Sequence, residues 1–257
     1  MKKTKQLLLI TLLISFNSCQ AQKTNDTELI STITERLGVR IGVKKGSELK
    51  FYDEKDNTFY EAPEMKFNVP NGTDEIIMAG SLLIVRNNSD LRFYQEINYD
   101  MEYFGYGFIE LPEKNFSLPN RVDEIAMPYG IGLLCVRNGS ELRFYKEEDY
   151  EFKKINYEFK ELPEMKFNLP NEVDEIAMSG TVIFVRNGSE LKVYSSKDKT
   201  LKELPEMKFK LPKGTDEIIM TPTGLLGVRV GSELRFYDAK TPSYTELTEM
   251  KFNLPKN

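Results

Sequence analysis

Val136-Arg137-Asn138-Gly139-Ser140-Glu141-Leu142-Arg143-Phe144-Tyr145 is one copy of a phrase that recurs, with close copies starting at Val85, Val185 and Val228 and a more diverged one at Val43. Its serine returns as Ser47, Ser89, Ser140, Ser189 and Ser232, at separations of 42, 51, 49 and 43 residues. Periods of that size belong to chains built from stacked or radially arranged supersecondary units. A second phrase, Glu161-Leu162-Pro163-Glu164-Met165-Lys166-Phe167-Asn168-Leu169-Pro170, follows each copy in turn. After it comes an Asp-Glu-Ile step, at Asp74, Asp123, Asp174 and Asp216, with Thr27-Glu28-Leu29 as a degenerate fifth instance.

Each unit reads as four short strands. In the fourth unit, Asp174-Glu175-Ile176-Ala177-Met178 is the first strand, turned by Ser179-Gly180. Val182-Ile183-Phe184-Val185-Arg186 is β-branched and apolar, as a buried second strand should be. Asn187-Gly188 supplies the left-handed residues of a tight hairpin. Glu190-Leu191-Lys192-Val193-Tyr194 alternates polar with apolar and makes the third strand, and the fourth is expected to end at Glu203-Leu204-Pro205. Four strands per unit, with no helical stripe, predict an all-β, five-bladed β-propeller of four-stranded repeats. A β-solenoid fits less well, because its rungs are usually shorter. The units span 27–73, 74–122, 123–173, 174–215 and 216–257.

The N-terminal residues read as an address. Lys2, Lys3 and Lys5 precede an apolar run over residues 7–16, too short to span a membrane, and the run ends in Phe16-Asn17-Ser18-Cys19. This resembles a bacterial lipobox, with 1–18 as signal peptide, Cys19 as the lipidated residue and 19–26 as a tether. The resemblance implies a lipid-anchored protein of the bacterial cell envelope, at the outer membrane, whose membrane contact is made through that lipid.

Composition narrows the chemistry. The chain has no histidine, which removes the commonest general base and metal ligand together with every Ser-His-Asp or Cys-His nucleophile system. Its two cysteines, Cys19 and Cys135, cannot make a thiolate zinc site, so neither metal nor cofactor is expected. Cys135 aligns with Gly42, Ile84, Phe184 and Gly227 and reads as a small hydrophobe on a buried second strand. A net charge of -5 without basic clusters argues against nucleic acid as a partner.

The pattern hydrophobe-Val-x-Asn-Gly-x-x-Leu-x-x-Tyr followed by Leu-Pro is similar to the repeats of tectonin and tachylectin-like propellers. That resemblance implies carbohydrate binding. Those repeats carry a Trp shortly before the Leu-Pro pair; this chain has no Trp, and Tyr60, Phe159 or Tyr244 stands nearby.

Two sets of candidate binding residues emerge. From the Tyr that ends strand three to the Pro position the count is 11 residues in units one, four and five, and 18 in units two and three. The two insertions hold Tyr103, Phe104, Tyr106, Tyr150 and Tyr157, and the neighbouring turn of unit three holds Tyr129. Strand alternation puts these segments on one face of the disc, where they serve either individual recognition of a glycan or an envelope protein or only as extensions of the outer hairpins of two blades, their aromatics covering one another. The alternative is a repeated site made of Arg86, Arg137, Arg186 and Arg229 with Tyr94, Tyr145, Tyr194 and Tyr237. Those same arginines, facing the acidic Asp-Glu steps, equally predict ion pairs or hydrogen bonds that hold blades together. Three functions remain open at this point: a non-catalytic binding module, a hydrolase or lyase using carboxylates in the central channel, and a structural envelope subunit.

Overall fold

The computed structural model describes residues 27–33, 38–97, 107–119, 121–147, 159–170, 173–239 and 243–255. Five antiparallel sheets, each built from consecutive strands, form a five-bladed β-propeller. Blade one comprises Thr27–Ile33, Val39–Lys45, Glu48–Lys55 and Thr58–Asn68. Blade two comprises Glu75–Ala79, Leu82–Asn87, Asp90–Ile97, Gly107–Glu110 and Phe116–Ser117. Blade three comprises Glu124–Ala126, Leu133–Asn138, Glu141–Glu147, Phe159–Glu161 and Phe167–Asn168. Blade four comprises Glu175–Ser179, Val182–Asn187, Glu190–Ser195, Lys202–Glu203 and Phe209–Lys210, and blade five Glu217–Met220, Leu225–Val230, Glu233–Asp238 and Thr245–Asn253. The first strands follow one another around the axis, and that of blade five returns to that of blade one. No strand is exchanged across this joint among the described residues, so side chains and hydrogen bonds close the ring.

The expected end of the fourth strand needs correction. Leu-Pro does not finish it. A single 3-10 turn at Pro112–Lys114, Pro163–Met165 and Pro205–Met207 interrupts the strand, which then resumes and pairs with the start of strand three, as in Leu142 with Phe167 and Leu191 with Phe209. Blades one and five make the same excursion as a register shift within one long strand. The Val or Leu that follows donates its N–H to the serine carbonyl of the key phrase in every blade, at 2.8 Å (Val69 to Ser47, Leu118 to Ser89, Leu169 to Ser140, Leu211 to Ser189, Leu254 to Ser232). The second phrase therefore belongs to the outer strand of its own blade, as continuous strand in blades one and five and as strand broken by a turn in blades two to four, and the crossing to the next blade begins only after it.

Aromatic side chains seal the seams between blades. The Tyr ending strand three packs on the Phe of the preceding blade's resumed strand: Tyr94 on Phe67 at 4.9 Å, Tyr145 on Phe116 at 5.6 Å, Tyr237 on Phe209 at 5.2 Å and Tyr52 on Phe252 at 5.0 Å. A second ring, four residues before the Pro position, plugs the preceding blade. Phe59 stacks on Phe236 of blade five, Phe108 on Phe51 of blade one, Phe159 on Phe93 of blade two and Tyr244 on Phe209 of blade four. Blade four uses Leu201 for the same purpose. Phe59, rather than the exposed Tyr60, is thus the ring of blade one that fills this seam.

Inside each blade, strands one and two exchange volume. The directly paired residues are Ile30 with Gly42, Ile77 with Ile84, Ala126 with Cys135, Ala177 with Phe184 and Ile219 with Gly227. Where one partner is glycine, the other is isoleucine lying across it: a Cβ on Gly42 would meet Ile30 Cγ1 at 2.5 Å, and one on Gly227 would meet Ile219 Cγ1 at 2.6 Å. Cys135 belongs to this series; it is fully buried, and burial pushes its thiol well above the ordinary range. Gly227→Cys should therefore destabilise the protein by about 1–3 kcal/mol. Ile219→Ala alone should cost about 2–5 kcal/mol by leaving a cavity. The double variant reproduces the pair of blade three, and denaturant unfolding should show it more stable than the sum of the two losses. Strict additivity would mean that these positions do not share one volume.

Candidate functional site

Two regions could carry function: the central channel and the face bearing the inserted segments. The channel is lined only by first strands, with Glu28, Glu75, Glu124, Glu175 and Glu217 forming a carboxylate ring and Ile77, Ala126, Ala177 and Ile219 among the residues beyond it. Each carboxylate is committed twice. Within its blade it pairs with the strand-two cation: Glu28 with Lys44 at 3.1 Å, Glu75 with Arg86 at 2.8 Å, and Glu124, Glu175 and Glu217 with Arg137, Arg186 and Arg229 at 2.9 Å. Across the seam it accepts a backbone N–H from the next blade: Ile76 to Glu28, Ile125 to Glu75, Ile176 to Glu124, Ile218 to Glu175 and Leu29 to Glu217, at 3.0–3.1 Å. The last of these bonds closes the ring between blades five and one.

The guanidinium groups continue the linkage outward. Arg86 donates to the carbonyls of Val122 at 3.2 Å and Asp123 at 3.3 Å, and Arg137 to those of Val173 at 3.3 Å and Asp174 at 3.5 Å. The charge pairs therefore lie within blades, and hydrogen bonds make the crossings. The aspartates serve the hairpins instead, where Asp74, Asp123, Asp174 and Asp216 accept the turn N–H of Asn88, Gly139, Gly188 and Gly231. Burial pushes the Glu75 carboxyl up to about 7 and that of Glu124 up to about 8, against the lowering influence of Arg86 and Arg137 and with neighbouring ring glutamates adding to the rise. The channel cavity is about 100 Å³, below the roughly 300–1,000 Å³ of pockets that enclose a small organic ligand.

The residues of the repeated-site alternative, Arg86, Arg137, Arg186 and Arg229, are those that pair with this ring. Tyr94, Tyr145, Tyr194 and Tyr237 are buried in the seams, and burial raises the pKa of each phenol.

The other face has a different character. Tyr129, in the turn between the first two strands of blade three, is 51% exposed, and its ring lies over Gly80 of blade two, where a Cβ would sit 2.5 Å from the ring. Gly80 has φ +67 and provides both the turn and the room for this ring. Ile131, two residues on, is 39% exposed. Tyr60 of blade one and Ile109 of blade two occupy the same repeat position on their outer strands, at 58% and 45% exposure, where the other blades carry Lys160, Lys202 and Thr245. Among the described residues, all four exposed large hydrophobics thus fall in blades one to three. Tyr103, Phe104, Tyr106, Tyr150 and Tyr157 lie outside the described residues, as does Cys19.

Sequence reasoning missed Tyr60, Ile109 and Ile131 because it looked for aromatic clusters. The available signal for Tyr60 and Ile109 was a large apolar side chain at an outer-strand position where the other blades carry Lys160, Lys202 and Thr245. No protein-family model matches the chain, and no curated protein matches it. A solved structure from Bacteroides fragilis with the provisional name 6-phosphogluconolactonase is similar at TM-score 0.46 and 10% identity, over 87% of this chain and 69% of that one. Its activity is not carried over. The class that this topology defines is a five-bladed β-propeller of four-stranded blades.

Proposed function

We propose that this protein is a non-catalytic binding module, displayed on the bacterial cell envelope by a lipid on Cys19, that recognises a glycan or an envelope protein through the face of blades one to three. The observation that carries the reading is the segregation of Tyr60, Ile109, Tyr129 and Ile131 to those blades, two of which also hold the insertions. Exposed aromatic and aliphatic groups on a rigid scaffold can stack on sugar rings or fill a partner's pocket. The kinship with tectonin and tachylectin-like repeats is part of the same proposal. It is supported by the shared Asn-Gly and Leu-Pro pattern, and the absence of the tryptophan that those repeats carry counts against it.

The hydrolase or lyase alternative draws on the raised carboxyls of Glu75 and Glu124, since perturbed carboxyls also mark acid–base sites. Against it, every ring carboxylate is held by a cation and a backbone N–H, and the cavity is small. Fragment 23–257 applied to a glycan array and to a membrane extract should retain a ligand and leave it unaltered. Turnover of the retained ligand would favour the enzyme, and no retention would favour the structural subunit. For the anchor, Cys19→Ala should abolish acyl labelling and shift the protein to the soluble fraction; unchanged labelling would overturn it. More than one acyl chain is needed for stable anchoring.

A further inference from the structure

We propose that Arg40 and Lys114 are positioning residues: each reaches across a seam and fixes the strand end from which an inserted segment leaves, 98–106 in blade two and 148–158 in blade three. The proposal rests on the reading of that face as the recognition surface. Both residues break the repeat. Arg40 stands where the other blades have Leu82, Leu133, Val182 and Leu225, and Lys114 where they have Met65, Met165, Met207 and Met250.

Both side chains are nearly enclosed, at 8% and 12% exposure. Arg40 grips Asp53 of its own blade through Nε and Nη2 and donates from Nη1 to Glu96 of blade two at 2.9 Å. Lys114 Nζ donates to Glu147 of blade three at 2.7 Å. Glu96 and Glu147 occupy one repeat position, at the end of strand three. Blades four and five have Ser196 and Ala239 there. Blade one has Glu54, which turns instead to its own hairpin and accepts the Asn57 N–H. A cross-seam cation and a glutamate therefore occur together at the two blades with long insertions.

Stability does not explain the exchange. A buried ion pair seldom adds more than an apolar pair of similar volume, because both charges must leave water. What it adds is orientation, above all where a guanidinium fork is already seated on Asp53. The strand ends in question are also tied to the inner turns of the same face, Glu96 N–H to Ser81 at 2.7 Å and Glu147 N–H to Gly132 at 2.9 Å. Ser81 follows Gly80, on which Tyr129 rests, and Gly132 follows Ile131. The two cations thus set the departure points of the insertions relative to the exposed Tyr129 and Ile131.

The test uses hydrogen exchange on the full chain. Arg40→Leu with Glu96→Ser, and Lys114→Met with Glu147→Ser, restore residues that other blades carry. Each should keep or raise the melting temperature while the backbone amides at positions 96 and 97, or at position 147, lose protection roughly tenfold through local opening, after correction for the faster intrinsic exchange of serine, and only in the altered blade. Lys114→Arg should exchange as the parent does. Should a double variant fail to fold, Arg40→Lys, which keeps the charge and loses the fork, is read by the same local criterion. Unchanged exchange at these amides would overturn the proposal. So would a lower melting temperature with acceleration spread over all five blades, which is the behaviour of ordinary structural ion pairs. Absence of any ligand captured by the parent chain would instead count against the recognition reading and leave the exchange result standing.

Discussion

Glu124→Ala is expected to destabilise the protein by about 3–5 kcal/mol, because it leaves the Arg137 guanidinium buried without its carboxyl partner. It also removes the acceptor for the Ile176 N–H, a bond that crosses from blade three to blade four. The converse substitution should be milder. In Arg137→Met the stranded carboxyl can take up a proton, which a guanidinium cannot discard. Burial already pushes the Glu124 carboxyl up to about 8 in the presence of its partner, and loss of Arg137 pushes it further. A carboxyl whose folded pKa lies above its unfolded value of about 4.3 contributes its full stability below that value and loses it as pH rises toward the folded pKa. Between about pH 5 and pH 8 the parent and the Arg137→Met protein should both lose stability with the slope of one proton, but the Arg137→Met protein should go on losing it up to about pH 9, where the parent levels off, and the Glu124→Ala protein should lack this carboxyl's pH dependence altogether. Thermal unfolding of both variants across that range separates the two cases. Equal, pH-independent losses would mean that the ring carboxyl remains ionised whatever its partner.

The architecture was legible because the repeat is nearly verbatim and the chemistry of each strand is local. Val182-Ile183-Phe184-Val185 has the composition of a buried strand, and Asn187-Gly188 has the turn residues that join it to the next. Leu142 and Phe144 were readable as core from alternation alone, and both are fully buried. The pairing of Arg137 with the acidic step was visible as two matched series of opposite charge, although not that each pair stays within a blade while the crossing is made by N–H and carbonyl groups. The continuation of strand four was hidden because Leu-Pro carries a strong exit signal. A proline lacks the N–H that a ladder needs, and only the tertiary pairing of Phe167 with Leu142 shows the strand resuming beyond it. The plug residues Phe59, Phe108 and Phe159 were obscured for another reason: what they fill belongs to a different blade, and no local pattern reports that.

The candidate site was less legible than the fold. Arg40 and Lys114 are informative only as departures from their aligned positions, and reading for what the repeats share passes over them. Tyr129 was singled out as an aromatic on a variable turn. Its support by Gly80 depends on how two blades sit side by side, which the spacing of residues does not state.

The insertions carry the largest functional expectation. Shortening each by seven residues, to the length found in blade four, removes Tyr103, Phe104 and Tyr106, and Tyr150 or Tyr157, without touching the carboxylate ring or the seam aromatics. The fold should persist, because blades one, four and five already close with the shorter connection. If recognition belongs to blades one to three, truncating these groups should remove most of the affinity, since a few anchoring side chains dominate such surfaces. The repeated Arg and Tyr positions would be untouched, so binding spread over equivalent sites would survive, with avidity changing only as sites are lost. The decisive measurement is capture of ligand from a glycan array and a membrane extract by the parent and the doubly shortened protein, with unfolding curves run alongside. The account predicts a folded, shortened protein that captures nothing; a folded, shortened protein that captures the same ligand equally well would contradict it.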